Sequence, residues 1–173
     1  MTAQTGQDQQ AQQPSFQIEK IYVKDLSLEI PAAPQAFLQQ AQPQLEVQLN
    51  TTASGFAEGY YEVVVTATVT ARIAERTLFL VEAAQAGIFS VRNVPQADLD
   101  PLLGVACPTI VFPYLRETIS DLIVRGGFPP VLLSPVSFEA LYMQRLQQSQ
   151  QGSAPQASSS GAPRSGPQIE ISR

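Results

Sequence analysis

The sequence predicts an α+β domain built on a four-stranded antiparallel sheet. Two patterns carry this prediction. Up to about residue 91, apolar and β-branched residues alternate with polar ones, whereas from residue 96 onward apolar residues recur at helical spacing. A run of strands followed by a run of helices is typical of α+β domains. An antiparallel sheet of this kind can keep one face in water.

Four segments are predicted as strands, separated by turn and loop residues. The first ends at Pro31 and Pro34, because proline cannot continue a strand ladder. Residues 50–59 are small and polar and are predicted as a loop, and residues 74–76 as the link of a hairpin. The strands span residues 16–30, 45–49, 61–73 and 77–91, and the last places Leu78, Leu80 and Glu82 on one face.

Three helices are predicted in the second half, at residues 96–105, 111–125 and 138–147. Gly126 and Gly127 favour the end of the second helix, and Ser137 is a suitable N-cap for the third. Residues 127–135 between them combine proline with large apolar side chains, which predicts an extended crossover. Two interpretations of the crossover stay open: a buried connector, or one wall of a groove for apolar peptides.

A single domain is predicted between two polar ends. Residues 16–148 carry nearly all the large apolar side chains, whereas the compositions of residues 1–15 and 149–173 predict disorder. The first residues lack the basic and apolar character of a secretory signal. No stretch approaches the run of about 20 apolar residues that spans a bilayer. A cytoplasmic protein without direct membrane insertion is therefore expected.

The residue inventory favours a binding module over an enzyme. The chain has no histidine and one cysteine, Cys107, which excludes a histidine-based triad and a cysteine-rich zinc site. Cys107 lies in an apolar stretch and is interpreted as a buried side chain rather than a nucleophile. No phosphate-binding loop occurs, and a formal net charge of -5 argues against nucleic acid as a partner. No cofactor, metal or catalytic residue is predicted.

An ordered set of short motifs then gives the chain a family resemblance. They include Phe16-Gln17-Ile18, Tyr61-Glu62-Val63-Val64, Gly87-Ile88-Phe89-Ser90, Phe112-Pro113-Tyr114, Leu133-Ser134-Pro135-Val136 and Phe138-Glu139-Ala140-Leu141. Each motif alone is weak, but the ordered set over residues 16–148 is specific. In these residues the chain resembles the SecB family of bacterial protein-export chaperones.

The resemblance implies helices packed on one face of the sheet and a homotetramer arranged as a dimer of dimers. It implies an ATP-independent holdase that binds unfolded secretory precursors, keeps them competent for translocation and delivers them to the SecA motor ATPase. The family uses no cofactor. An alternative from a different class stays open, an antitoxin-associated or dedicated-partner adaptor on the same fold.

Three sets of residues match the family's binding surfaces. The client groove corresponds to Leu45, Val47, Leu49, Phe128, Leu132, Phe138, Leu141, Tyr142 and Leu146. The SecA-binding face corresponds to Asp25, Glu29, Leu80 and Glu82. The tetramer contact corresponds to the helix around Leu99, Leu102, Leu103 and Val105.

Two positions depart from the family pattern. The family often has an aromatic residue near the position of Ala41, so one expected groove wall is missing here. The family's C-terminal tail often ends in an acidic and basic segment that binds the zinc-carrying end of the motor. Residues 168–173 hold only Glu170 and Arg173 as charges, so this second contact is expected to be weak or absent.

Overall fold

The computed structural model describes residues 13–152, which contain one antiparallel sheet with helices on one face. The strands are β1 (Ser15–Glu29), β2 (Gln44–Ala57), β3 (Tyr60–Ile73) and β4 (Arg76–Arg92), in the spatial order β1-β4-β3-β2. The helices are a 3-10 turn (Gln35–Leu38), α1 (Gln96–Pro101), a π segment (Leu102–Ala106), α2 (Cys107–Arg125) and α3 (Phe138–Gly152). The predicted fold class is confirmed.

Strand β1 keeps its aliphatic residues on one face by means of two bulges. Its pairing with β4 shifts register between Ile18 and Lys20 and again between Val23 and Asp25. Each bulge adds one unpaired residue, which reverses the odd-even alternation of the strand. The face turned toward the helices, which we call the inner face, therefore receives Phe16, Ile18, Ile21, Val23, Leu26 and Leu28.

Strand β2 is longer than the sequence indicates. The predicted loop at residues 50–59 is wrong over most of its length, because the ladder with β3 continues to the pair Ala57 and Tyr60. Only Glu58 and Gly59 form the turn, and Gly59 takes a left-handed φ of 71°. Small residues near the end of β2 weaken the alternation on which the prediction depended.

The core forms where α2 crosses β3 and β4. The inner face of β3 carries side chains that are fully buried: Val63, Val65, Ala67, Val69 and Ala71. The opposing stripe of α2 repeats every four residues and is equally buried: Val111, Leu115, Ile119 and Ile123. The predicted alternation of β3 and helical spacing of α2 are both confirmed.

A bulge near the start of β4 separates Leu78 from the face of Leu80 and Glu82. The ladder with β3 shifts register at this point, so Leu78 is the extra residue of the strand. Its side chain is 5% exposed and belongs to the core together with Phe79. The prediction that Leu78 shares a face with Leu80 and Glu82 is therefore wrong, because strict alternation does not hold across a bulge.

Residues 96–125 form one continuous helix rather than the two predicted helices. The π segment joins α1 to α2 by accommodating one extra residue in the turn. By length and composition alone this helix could cross a membrane. In this fold its apolar stripe packs on the sheet, and the core helix of a soluble protein meets the same criterion.

Helix α2 ends in a Schellman motif that aims the crossover at the core. The Gly127 N–H donates to Val124 O at 2.9 Å and the Phe128 N–H donates to Ile123 O at 3.2 Å. Gly127 has a φ of 86°, which a side chain would strain. The predicted helix end is confirmed. The motif turns the chain so that the Phe128 ring packs against Phe79 of β4.

Helix α3 begins at the predicted cap and runs past its predicted end at residue 147. Ser137 Oγ accepts a hydrogen bond from the Ala140 N–H at 3.2 Å, the contact expected of an N-cap. The helix continues to Gly152. Disorder was predicted for residues 1–15 and 149–173, but Ser15 belongs to β1 and residues 149–152 belong to α3. The rest of this prediction, for residues 1–12 and 153–173, lies outside the described residues.

Candidate functional site

The inner face of β2 is left uncovered by the helices. Leu45 and Val47 pair with Ala71 and Val69 of β3, so they point to the same side as the core. Leu45 is 47% exposed and Val47 48%, whereas both partners on β3 are fully buried. Helix α2 covers β3 and β4 and stops short of this edge strand. An apolar strip therefore stays open along β2.

An aromatic cavity of about 570 Å³ opens at one end of this strip, beside Leu45. The ring centroid of Phe128 lies 5.2 Å from that of Phe37 and 4.8 Å from that of Phe79. Rings at these separations attract one another through their edges and faces. Phe37 remains 51% exposed, so aromatic surface is available to a ligand.

Phe37 supplies the aromatic side chain that the sequence lacks at Ala41, and both residues line this cavity. Phe37 and Phe79 were missed as groove residues. Phe37 lies in a proline-flanked connection, where neither the strand period nor the helix period applies. The signal that could have found it is a large aromatic residue placed in a short connection between strands.

Two smaller cavities continue the strip along β2. One of about 240 Å³ lies between Val47, Leu49 and residues 133–136 of the crossover. The next, of about 200 Å³, lies between Leu49 and α3, where Leu141 and Arg145 form its wall. Because Leu49 borders both, the three cavities follow one line. We call this line, bounded by the inner face of β2, the crossover and α3, the β2 groove.

Most of the residues predicted for client binding line the β2 groove. They are Leu45, Val47, Leu49, Phe128 and Leu141. Leu132 is 76% exposed and Leu146 is 40% exposed, but neither lines one of the three cavities. Their apolar surface lies outside the groove in this conformation.

Phe138 and Tyr142 anchor α3 instead of facing the groove. Phe138 is 4% exposed, and its ring lies edge-on to Phe112 at 5.6 Å. Tyr142 is half-buried against the π segment, where a Cβ on Gly104 would lie 2.8 Å from its Cδ2 atom. Only glycine leaves room for this ring. Both aromatic residues therefore position the wall of the groove.

The opposite, outer face of the sheet brings together the residues predicted to bind SecA. Glu29 pairs with Leu80 across β1 and β4, and Asp25 pairs with Ala84 of the same strand. Glu82 lies between them and accepts a hydrogen bond from Thr68 Oγ1 at 3.3 Å. Leu80 is half-buried and the three acidic residues are exposed. The result is an acidic surface around one leucine.

A second polar cluster lies farther along the outer face. Glu62 of β3 accepts hydrogen bonds from Lys24 Nζ at 2.6 Å and from the Tyr22 hydroxyl, both on β1. Both hydrogen bonds hold the pKa of Glu62 below its ordinary value, and the bond from Lys24 has the larger effect. The bond to Glu62 raises the pKa of Tyr22. On β4, Ala86 lies opposite Tyr22 and Ile88 lies opposite Glu62, so the hydrogen bond crosses this strand on the diagonal.

The residues predicted for the tetramer contact lie on α1 and the π segment. Leu99, Leu102, Leu103 and Val105 are all half-buried and pack partly against the core. Each keeps apolar surface that the described part of the chain does not cover. The neighbouring Cys107 is fully buried, and burial raises the pKa of its thiol to about 12. Within residues 13–152, no group of three potential metal ligands is close enough to hold an ion.

Comparison with known proteins decides the family. The sequence profile described as "Preprotein translocase subunit SecB" matches residues 9–149. This chain belongs to the SecB family. The "Protein-export protein SecB" of Chromobacterium violaceum is 60% identical over 148 residues, which cover 85% of this chain and 99% of that protein. That of Methylobacillus flagellatus is 60% identical over 139 residues, covering 80% and 88%.

A solved structure supports the SecB fold. It is a Mycobacterium tuberculosis SecB-like chaperone in complex with a ChAD peptide from an antitoxin. The TM-score is 0.59 at 16% identity, with 70% of this chain and 90% of that chain covered. At this identity the likeness concerns the fold alone. The family predicted from the motifs is confirmed, and with it the prediction of a protein-export chaperone of the SecB type.

Proposed function

We propose that this protein is an ATP-independent holdase that binds unfolded secretory precursors in the β2 groove. The single observation that carries the proposal is an open apolar strip on the inner face of an edge strand. Exposed apolar surface of this kind marks a binding site. In an extended client, every second side chain points to the same side of the backbone. Leu45, Val47 and Leu49 offer apolar contacts at that spacing.

The outer face is the proposed docking surface for the SecA motor ATPase. It combines three carboxylates with the apolar side chain of Leu80, on the side of the sheet opposite the groove. Charge on such a surface steers a partner and fixes its orientation, while the leucine adds contact area. Because the two surfaces lie on opposite sides of one sheet, client and motor can be bound at the same time.

The proposed assembly is a homotetramer, and two features support it. On the inner face of β1, Ile18 is 49% exposed, Val23 46% and Leu26 42%. On α1 and the π segment, the residues that match the family's tetramer contact keep apolar surface exposed: Leu99, Leu102, Leu103 and Val105. Apolar surface on both elements can be buried against further copies of the chain. Multiple grooves on one tetramer would bind one long client by avidity.

Catalysis plays no part in the proposal. The thiol of Cys107 is fully buried and its raised pKa keeps it protonated at neutral pH. The sequence holds no histidine that could serve as its base. We further place the protein in the cytoplasm, where precursors are met before translocation.

The test is suppression of aggregation when an unfolded precursor is diluted into buffer without ATP, read by light scattering. The wild type is expected to suppress scattering, whereas Leu141→Ser is expected to suppress it several-fold less. Leu146→Ser is the matched control, because both leucines lie on α3 with 38% and 40% exposure but only Leu141 lines a cavity. The control is expected to act like the wild type.

Two results would contradict the proposal. If both variants act like the wild type, clients do not use the β2 groove. If the folded wild-type protein suppresses nothing, the holdase function fails and the dedicated-partner adaptor becomes the better hypothesis.

A further inference from the structure

The last described turns of α3 lie at one end of the β2 groove. Arg145 and Gln148 line the cavity that also contacts Leu49 and Thr51 of β2. The helix continues for one more turn to Gly152. Residues 153–173 therefore start next to the proposed client site.

The sequence after Gly152 has two parts. Residues 153–167 consist of Ser, Ala, Pro, Gln and Gly with one Arg, a composition typical of linkers. Ile169 and Ile171 follow, separated by Glu170, and they are the only large apolar residues after Leu146. A short apolar segment that follows a polar linker resembles the apolar stretches of an unfolded client.

The linker is long enough to bring this segment back to the groove. The 16 residues from 153 to 168 correspond to a root-mean-square span of about 22 Å for a flexible chain. The cavities beside Leu49 begin within one helical turn of Gly152, so the span is sufficient. A tether of this length gives an effective concentration on the order of 1 mM.

We propose that residues 168–172 bind the β2 groove of their own chain and compete with clients. In an extended segment, Ile169 and Ile171 point to the same side about 6.8 Å apart, which is also the spacing of Val47, Leu49 and Thr51 along β2. They match the two cavities that Leu49 borders. Within the described structure no acidic residue lines the three cavities, so nothing there repels the carboxylate of Glu170 between the two isoleucines. The inference rests on the proposed client binding at this site.

The expected effect is modest and reversible. If the segment's intrinsic dissociation constant lies between the effective concentration of about 1 mM and about a ninth of it, client affinity falls by about two- to tenfold. The segment then covers apolar surface in the absence of a client. A long client that contacts all three cavities displaces it.

The first test compares client affinity between tail variants. An unfolded precursor peptide carrying a fluorophore is titrated with the full chain and followed by anisotropy. The double variant Ile169→Ser and Ile171→Ser is expected to bind the peptide about two- to tenfold more tightly than the wild type. The matched control, Ala157→Ser and Ala162→Ser in the linker, is expected to leave the affinity unchanged.

The second test does not depend on clients. A spin label on Ser172→Cys is expected to broaden the methyl NMR signals of Leu49 and Leu141, and the broadening disappears in the double isoleucine variant. Cys107 is buried and stays unlabelled. Tight peptide binding with no broadening and no effect of the isoleucines overturns the inference while the proposed function stands. Broadening without peptide binding supports docking of the tail and overturns the proposed function.

Discussion

The hydrogen bonds around Glu62 cross the central strand β4 on the diagonal. Tyr22 of β1 lies opposite Ala86, whereas Glu62 of β3 lies opposite Ile88, two residues farther along β4. The Tyr22 hydroxyl donates to Glu62 past these two positions. The cluster of Tyr22, Lys24 and Glu62 therefore links β1 to β3 directly, and its hydrogen bonds depend on the register of both ladders.

Glu62→Gln is expected to reduce the free energy of unfolding at pH 7, because it removes the ion pair with Lys24. Lys24 is 46% exposed and Glu62 18%, and partly exposed pairs contribute about 0.2 to 1 kcal/mol. The pKa of Glu62 is lowered in the folded state, so this stabilisation is present above its unfolded pKa and is lost as pH falls through the folded pKa. Urea unfolding at a series of pH values measures the difference.

Glu58→Gln is the control for this measurement, because Glu58 is exposed in the turn between β2 and β3. It is expected to leave stability close to that of the wild type from acid to neutral pH. Equal pH dependence of the two variants would show that the Glu62 cluster adds nothing to stability.

Bulges decide which residues of β1 and of the start of β4 face the core. Two bulges in β1 return Ile21, Val23, Leu26 and Leu28 to the inner face, and one in β4 turns Leu78 into the core. An unpaired residue shifts the phase of every residue that follows it. The register of a strand is thus a property of its pairing and not of its own sequence alone.

Leu78→Ala is expected to lower the free energy of unfolding by about 2 to 4 kcal/mol, because it leaves a cavity in the core. Leu80→Ala, two residues along the same strand, removes a half-buried side chain from the outer face and is expected to cost less than about 1 kcal/mol. Denaturant unfolding of the two variants measures both values. Similar costs would show that the bulge does not separate the two leucines.

The accuracy of the predictions from sequence differs from one element to the next. Strand β3 and the second half of helix α2 follow one period throughout, so the bounds of β3, the end of α2 and both buried faces were predicted closely, whereas the start of α2 was not. Strand β2 was cut short because its last residues are small and polar, and only pairing with β3 holds them in the sheet. The groove residues on β2 could be predicted by resemblance, but the role of Phe37 depends on where a loop packs.

Across the whole molecule, both edge strands present apolar residues that no helix of the described chain covers. Helix α2 packs over the central pair of strands, which leaves the inner faces of β1 and β2 open on either side. These two faces are exposed to a similar degree. We assign the face of β1 to assembly and the face of β2 to clients.

Val23→Glu is expected to dissociate the assembly, because it places a charge on the inner face of β1. The molar mass measured by light scattering after size-exclusion chromatography should fall below that of four chains. Val47→Glu on β2 is the matched control, since Val23 is 46% and Val47 48% exposed. It should keep the full mass but suppress aggregation poorly. The reverse result would exchange the roles of the two edges.

The π segment has a further consequence for the phase of the long helix. An α-helix turns by about 100° per residue, so if the same residues ran as a regular α-helix, the extra residue would rotate α1 by about that angle relative to α2. Leu99 would then no longer lie in line with the buried stripe of α2, and the ring of Tyr142 would no longer pack against Gly104. One extra residue in a helical turn thus sets the relative rotation of the two halves of the helix, and through it the place where α3 can dock.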